Sequence, residues 1–491
     1  MTDAAVTSRP AQGRLDLSTK LYYGVGSVAF GVKDNGFSYM LLLFYNQVVG
    51  LSATQVGLAL MIALLFDAVI DPLIGHVSDN FRSPWGRRHP FMYAAALPVA
   101  VCYVAVCYVA IWNPPHWSPQ ALFYYLLAMA IVIRTFVSFY EVPSSAMAAE
   151  FSSSYDERSV LLSYRFFFAW IGGLSIQLLA FSVLLKPDAT HKVGQLNPVG
   201  YAQYGLVGAV VIFLAILISA AGTHRCIGML RAAPPRRNLS LRQAGQKIVQ
   251  TLSNRSFLYL LASNIATAMA AGLAASLNGY FNTYFWGFSA SQISLFTAGV
   301  FMSAILALSM APYFSRRFGK RSTAMAVMVL ALAFGIGPLL LRLAKLFPAN
   351  GTDQLVWAIL CTSIISTTFG IVASTMGSSM IADVVEAAEL TTGRRSEGLF
   401  FAASAFVGKS VSGFGILAAA SLIDFIGLKN GADPSSLPPE TIRNLAVFYC
   451  PLITVLYLIG LILLFGYRIS RTSHLETLDQ LGAGTGPVRA Q

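Results

Sequence analysis

Long apolar stretches alternate with short polar ones along the whole of the 491-residue chain. A helix needs about 20 apolar residues to cross the hydrocarbon layer of a bilayer. Twelve stretches reach that length. We therefore predict twelve membrane spans, numbered in chain order: residues 17–49, 53–80, 89–112, 119–149, 157–186, 199–223, 256–286, 290–315, 322–346, 354–384, 397–427 and 444–468.

Composition and charge indicate the surroundings of these spans. Hydrophobic residues make up 56% of the chain and charged residues only 11%, against about 25% charged in soluble domains, which excludes a soluble enzyme and a disordered protein. Residues 1–20 lack the apolar core of a cleavable signal, so we expect span 1 to be retained. Of 33 Lys and Arg residues, 23 fall on one side of the predicted spans and 6 on the other. This positive-inside bias predicts that both termini are cytoplasmic.

The polar stretch between spans 6 and 7 divides the chain into two sets of six spans. The loops after spans 2 and 8 carry similar triplets, Gly-Arg-Arg at 86–88 and Gly-Lys-Arg at 319–321. A parallel repeat of six-span halves is the layout of major facilitator transporters, whose substrate site lies near mid-membrane. We predict an all-α integral membrane protein with this fold: an N-terminal half over 1–223, a cytoplasmic loop over 224–253, and a C-terminal half with a short tail over 254–491.

Eight charged side chains lie well inside the predicted spans, away from their ends, where each costs about 2.5 to 3.5 kcal/mol unless it has a partner or a water-filled cavity. They are Asp34, Asp67, Asp71 and Glu141, and Lys33, Arg134, Arg165 and Lys409. All of them except Lys409 belong to the N-terminal half. We therefore place the cation site and most of the substrate site in that half.

Asp67 and Asp71 are four residues apart on span 2, so they lie on one helix face. Two carboxylates this close need a proton, a metal cation or a basic side chain to balance their charge. Oxygen ligands favour Na⁺ or proton coupling over zinc. The alternative is a purely structural ion pair with Lys409 or Arg165.

Span 4 carries three further candidates, Arg134, Ser138 and Glu141. Arg134 and Glu141 share one face and lie about 10 Å apart along the helix axis. Ser138 is a candidate neutral cation ligand, although serine in a membrane helix more often bonds its own backbone.

Lys33 and Asp34 are adjacent in span 1, so they are expected to point to different sides of the helix. Asp34 is the better candidate for a substrate contact, because a carboxylate accepts hydrogen bonds from several hydroxyls. Gly31 beside them has a packing explanation, since small residues let membrane helices approach closely. On span 7, Tyr280 and Tyr284 are candidates for stacking on a polyol, although aromatic residues near the end of a span are more often interfacial anchors.

Several segments resemble the glycoside–pentoside–hexuronide:cation symporters, the melibiose permease family of the major facilitators. The matching segments are GVKDNG and FYNQVVGLSATQVG at span 1, DAVIDPLIGHVSD and PWGRRHPF at span 2, YEVPSSA in span 4, DERSVLLSYRFFFA in span 5, and ADVVEAAELTTGRRSEG and FVGKSVSG in spans 10 and 11. The resemblance implies alternating access, with a solute that moves together with Na⁺, H⁺ or Li⁺. It also implies placement in the cell inner (plasma) membrane.

The resemblance assigns four residues to the cation site. Asp67 and Asp71 match the paired aspartates that bind the metal cation, Ser138 falls where a threonine ligand lies, and Lys409 matches the lysine near that site. On this basis Asp67→Asn is expected to abolish cation-stimulated uptake while the protein stays folded.

It assigns four more residues to the substrate site. Asp34, Glu141 and Arg165 match the sugar-binding acid, acid and arginine, and Lys33 matches the basic neighbour of the first acid. Two departures weaken the assignment of a particular sugar. Glu141 is one methylene longer than the aspartate of the melibiose carriers, and Ser145 replaces the tryptophan that stacks on galactosides.

The sequence thus predicts cation-coupled symport of a sugar or glycoside, with a lysolipid or another organic solute as the alternative substrate. We expect no enzymatic activity, because no metal-ligand cluster, nucleophile motif or phosphate loop occurs in the sequence. No cofactor is expected besides the co-transported Na⁺ or H⁺. The expected partners are the solute, the coupling cation and the lipid bilayer, and not nucleic acid.

Overall fold

The protein is all-helical in the part that the computed structural model describes, residues 15–86, 88–94, 106–151, 155–227, 253–392 and 397–469. No β-strand occurs in these ranges. Span 2 and spans 4 to 12 each form a long helix: Ala53–Asn80, Pro119–Phe151, Tyr155–Leu179, Pro198–His224, Arg255–Tyr280, Ala290–Phe318, Lys320–Leu343, Asp353–Thr392, Glu397–Phe425 and Pro439–Leu464. The helix of span 10 continues eight residues beyond its predicted end at residue 384.

Ten helices within the described ranges are long and apolar enough to cross a membrane. Of predicted span 3, the structure describes His89–Ala94 and a helix over 106–111. Residues 95–105 lie outside the described part of the chain. The prediction of an all-α membrane protein is therefore confirmed, and ten of its twelve spans are seen as long helices.

Span 1 is helical but irregular. Its α-helical parts are Leu17–Val25, Ser27–Asn35 and Leu41–Leu43. Gly26 separates the first two, and wider π turns follow the second and third at Gly36–Met40 and Phe44–Val48. Single π turns inside α-helices are frequent at functional sites. The first of these turns begins two residues after Asp34, so the backbone is irregular directly beside the charged pair of span 1.

The turns after spans 1 and 7 repeat each other in sequence and in geometry. Residues 50–55 read GLSATQ and residues 287–292 read GFSASQ. Gly50 and Gly287 have φ angles of +92° and +67°, a left-handed conformation that glycine adopts at little cost. In both copies the serine hydroxyl accepts a hydrogen bond from the backbone N–H three residues later, which caps the next helix. This second repeat supports the division into two six-span halves.

Glycines also mark the crossing of the first and fifth helices of each half. A Cβ atom on Gly31 of span 1 would lie 1.9 Å from the carbonyl oxygen of Ala169 on span 5. A Cβ atom on Gly272 of span 7 would lie 2.2 Å from the carbonyl oxygen of Ser412 on span 11. The helices therefore touch backbone to backbone at both crossings, and the packing explanation of Gly31 is confirmed.

We expect Gly31→Ala to lower the free energy of unfolding by about 1–3 kcal/mol, because the added methyl group forces spans 1 and 5 apart. The matched control is Gly370→Ala in span 10, where a Cβ atom meets no heavy atom within 4 Å and the next residue is not a proline. Alanine favours a helix over glycine, so the control is expected to be neutral or slightly stabilising. Thermal unfolding of the purified full chain in detergent measures both, and equal melting temperatures for the two variants would contradict the close crossing.

The basic residues of the two repeated loops hold equivalent helices. Arg88, which is 4% exposed, donates from Nε to Glu150 at 2.8 Å and also pairs with Asp79. It thus ties the loop after span 2 to the ends of spans 2 and 4. In the other half, Nζ of Lys320 lies 2.5 Å from Oδ1 of Asp383 on span 10. Each loop is therefore anchored to the fourth helix of its own half.

The compact units of the structure do not follow the halves of the sequence. The last part of span 1 and the first part of span 2 group with the C-terminal helices. The predicted loop over 224–253 lies almost entirely outside the described residues, so the division of the chain at that loop stays a prediction. The first unit comprises the described residues among 1–37, 66–185 and 197–235, and the second those among 38–65, 186–196 and 236–491.

Candidate functional site

The eight charged residues well inside the spans divide unequally between the two units. Lys409 is half-buried on span 11 and belongs to the second unit. The first unit contains the other seven: Lys33, Asp34, Asp67, Asp71, Arg134, Glu141 and Arg165. The predicted concentration of charge in the first part of the chain is thus also a concentration within one compact unit.

Asp67 is the most deeply buried of the predicted cation ligands. Its side chain is fully buried and is held by two residues of span 4. Nη1 of Arg134 donates to Oδ2 at 3.3 Å, and Oγ of Ser138 donates to Oδ1 at 3.1 Å. The sequence named both Arg134 and Ser138, but it proposed Lys409 or Arg165 as the basic partner of the aspartates and did not pair Arg134 with Asp67. The spacing of four residues between Arg134 and Ser138, which places both on one face of span 4, was the available signal.

The Arg134 guanidinium has few other interactions to balance its charge. Arg134 is buried, and its guanidinium carbon lies 4.9 Å from the centre of the Phe37 ring. Its Nε is also buried and has no hydrogen-bond partner within the described ranges. A buried charge needs an opposite charge to offset its lost hydration, and Asp67 supplies it here.

Asp71 lies one turn after Asp67 and is half-buried. Within the described part of the chain, no group of three or more His, Cys, Asp or Glu side chains is arranged to hold a metal ion. A cation at this position would therefore depend on two carboxylates, with Ser138 as a neutral oxygen. The assignment of Asp67, Asp71, Ser138 and Lys409 to a cation site stays a prediction.

Lys33 and Asp34 form an ion pair on span 1, with Nζ 3.1 Å from Oδ1. The lysine side chain is only 1% exposed whereas the aspartate side chain is 44% exposed. The two residues do start towards different sides of the helix, as the sequence predicts, but the long lysine chain turns back to its neighbour. Nζ also lies 4.7 Å from the centre of the Phe30 ring. Asp34 thus presents an accessible carboxylate backed by a buried positive charge.

Arg165 on span 5 is half-buried and reaches towards span 4. Its Nη1 donates to Oγ of Ser144 at 2.8 Å, and its guanidinium carbon lies 5.7 Å from the centre of the Tyr23 ring. Arg165 also interacts electrostatically with Glu141. The structure therefore brings together two of the predicted substrate residues, and it adds Ser144 and Tyr23, which sequence reasoning missed. Ser145 is exposed, and its hydroxyl bonds a backbone carbonyl of its own helix.

A second polar cluster lies in the second unit, at the ends of spans 1 and 2 that the charge bias predicts to face outward. The hydroxyls of Tyr280 and Tyr284 donate to Oδ1 of Asn46 and Oε1 of Gln47, both at 2.8 Å. The Asp424 carboxylate accepts hydrogen bonds from the first two backbone N–H groups of span 2, at 3.2 and 2.8 Å. The two tyrosines are buried in these contacts, so their hydroxyls join span 7 to span 1.

Comparison with known proteins gives three matches, all of them to transport proteins. The chain matches the model of a family described as MFS/sugar transport protein over residues 22–471. It is 25% identical to the putative glycoside/cation symporter YagG of Escherichia coli, over 93% of this chain and 93% of that protein. It is also 25% identical to the sodium-dependent lysophosphatidylcholine symporter 1 of Gallus gallus, over 96% of this chain and 90% of that protein.

Among solved structures, the xylose transporter XylE from E. coli has a similar fold. The TM-score is 0.62 at 16% sequence identity, and the match covers 94% of this chain and 99% of XylE. At this identity the similarity shows the fold alone, which is the predicted arrangement of the major facilitators.

Proposed function

Because the chain belongs to the MFS/sugar transport family of the major facilitators, we propose that this membrane transport protein carries a hydroxyl-rich solute, a sugar or glycoside, together with a cation. As a member of that family it is a multi-pass transporter and not an enzyme. Placement in the inner membrane with both termini cytoplasmic is part of the proposal, and the bias of 23 against 6 basic residues supports it.

The accessible carboxylate of Asp34 is the observation that carries the choice of a hydroxyl-rich solute. An ionised carboxylate accepts hydrogen bonds from several hydroxyls at once. Lys33 balances its charge from the buried side, so the exposed part of the group is available to the solute. Arg165, Glu141 and the Ser144 hydroxyl provide donors and acceptors on the neighbouring spans 4 and 5.

The cation part of the proposal uses Asp67, Asp71, Ser138 and Lys409. Fixed acids within a membrane are expensive unless their charge is balanced, and they mark ion pathways in many transporters. Charge moved through the membrane yields about 2.3 kcal/mol per elementary charge per 100 mV, which is enough to drive accumulation of the solute. Coupling follows if either ligand alone disfavours the change between the inward-open and outward-open states.

A lysolipid or another organic solute is the second candidate substrate. The similarity to the lysophosphatidylcholine symporter of Gallus gallus supports it. So do the side chains next to Arg165, because Phe166 and Phe167 are exposed apolar rings adjacent to a half-buried charge. A charged head group with an apolar chain needs this combination of surfaces.

Uptake by membrane vesicles that contain the full chain tests the proposal. The panel comprises labelled glycosides, pentosides, hexuronides and a lysophospholipid, each with an imposed Na⁺ gradient, an imposed pH gradient, or neither. Gradient-driven accumulation of one sugar class is the expected result. Accumulation of the lysophospholipid alone, or of no solute by folded protein, would overturn the choice of a sugar.

Asp34→Asn is expected to weaken the apparent affinity for that solute by roughly 10- to 100-fold, because hydrogen bonds to a charged acceptor become bonds to a neutral amide. The matched control is Asp353→Asn, the same chemical change at an exposed position in the first turn of span 10. Concentration dependence of initial uptake rates measures both variants. An Asp34→Asn variant as active as the control would remove Asp34 from the substrate site.

A further inference from the structure

We propose that the Arg134 guanidinium is a built-in cation at Asp67 that excludes Na⁺ from this carboxylate. The inference rests on the cation-coupled transport proposed above and concerns which ion the site accepts. It starts from the finding that the side chain predicted to bind the coupling cation already holds a positive group of the protein itself.

The contacts occupy both oxygens of the carboxylate. Oδ2 of Asp67 accepts from Nη1 of Arg134 at 3.3 Å, and Oδ1 accepts from Ser138 at 3.1 Å. All three side chains are buried, so water does not screen the interaction strongly. The Arg134 guanidinium therefore occupies the position on Asp67 that the sequence analysis assigns to the coupling cation. The Ser138 hydroxyl occupies the position assigned to the neutral ligand.

An ion bound to Oδ2 of Asp67 must lie close to the Arg134 guanidinium. A hard cation binds carboxylate oxygen at about 2.3–2.6 Å. Since Nη1 is 3.3 Å from Oδ2, an ion on Oδ2 lies within about 6 Å of Nη1. Repulsion between two unit charges at that distance in a protein weakens binding by roughly a hundredfold.

Arg134 cannot relieve this repulsion by losing its proton, because a guanidinium stays protonated in proteins. It cannot turn into solvent without leaving its buried position against Phe37. Its Nε is buried and has no competing acceptor in the described part of the chain. The positive charge is therefore held at Asp67 by packing against Phe37 of span 1 as well as by electrostatic attraction.

The test is Na⁺ binding to the purified full chain, which needs no transported solute. The melting temperature is compared in NaCl and in choline chloride at equal ionic strength, and Na⁺ affinity is measured by calorimetric titration. We expect no Na⁺-specific response from the wild type or from Arg134→Lys, which keeps the charge. Arg134→Met should bind Na⁺ at least roughly a hundredfold more tightly than the wild type. The further change Asp67→Asn should abolish this gain.

Arg134→Gln, which keeps hydrogen-bonding capacity without charge, serves as a second neutral variant if Arg134→Met does not fold. Na⁺ binding by the wild type that Asp67→Asn abolishes would overturn the proposal. So would neutral variants that fold and bind no Na⁺. Failure of the solute panel would count against the proposed function but would leave this result unchanged, because binding is read without uptake.

Discussion

Arg88→Met is expected to lower the free energy of unfolding by about 3–5 kcal/mol, the usual cost of removing one partner from a buried ion pair. Glu150 stays buried after the substitution but loses the donor at 2.8 Å. The Ser78 hydroxyl, which accepts from Nη1 of Arg88 at 2.8 Å, loses a bond as well. Thermal and chemical unfolding of the purified full chain in detergent measure the loss.

Lys320→Met in the other half is the matched control. Lys320 is 30% exposed along its side chain, so water replaces part of its interaction. Its partner Asp383 also accepts a hydrogen bond from the hydroxyl of Tyr467 at 3.2 Å, which remains in the variant. We expect a loss of about 1 kcal/mol there. Equal losses of unfolding free energy in the two variants, or no loss in Arg88→Met, would contradict the explanation that the more buried pair contributes more to stability.

A double substitution separates the ion pair from general packing. If the cost of Arg88→Met comes from the buried Glu150 charge, then adding Glu150→Gln should recover part of the lost stability. Residues that do not interact give additive changes, so recovery in the double variant identifies the pair itself. An additive further loss would place the role of Arg88 in the packing of its apolar side chain.

The long helices were predictable because a helix that crosses the hydrocarbon layer needs about 20 apolar residues, and such stretches are visible in the sequence. The structure begins span 4 at Pro119 and ends it at Phe151, two residues beyond the prediction. The irregular backbone of span 1 was not predictable from hydrophobicity, since a π turn changes the hydrogen bonding without changing the apolar length. The repeat at residues 50–55 and 287–292 was visible in the sequence, but its meaning depends on the glycine conformations that the structure supplies.

The sequence predicted which residues belong to the candidate site, but it did not predict which of them form ion pairs. Spacing along one helix shows which side chains share a face, as for Arg134 and Ser138. It does not show how span 4 is rotated against span 2, and that rotation decides which base meets Asp67. Lys33 and Asp34 show the same limit at short range. Their backbones point apart, whereas the four-carbon lysine side chain is long enough to return to the carboxylate.

The pairing with Arg134 changes the expected outcome of Asp67→Asn. The sequence alone predicts a folded protein without cation-stimulated uptake. In the structure, an amide at this position leaves the Arg134 charge buried without its carboxylate, so we expect a loss of about 3–5 kcal/mol in unfolding free energy in addition to the loss of transport. Unfolding in detergent and vesicle uptake measure the two effects.

Adding Arg134→Met to Asp67→Asn is expected to recover most of the stability, because both charges of the pair are then absent and an apolar side chain fills the site. Uptake should stay at background, since the restored fold still lacks the carboxylate. Ser138→Ala is the milder control, because it removes only the hydroxyl that donates to Oδ1 and leaves the ion pair in place. If stability does not recover in the double variant, then Asp67 stabilises the first unit through contacts other than the one with Arg134. Recovered uptake would instead show that the pair serves the fold and that coupling resides at Asp71.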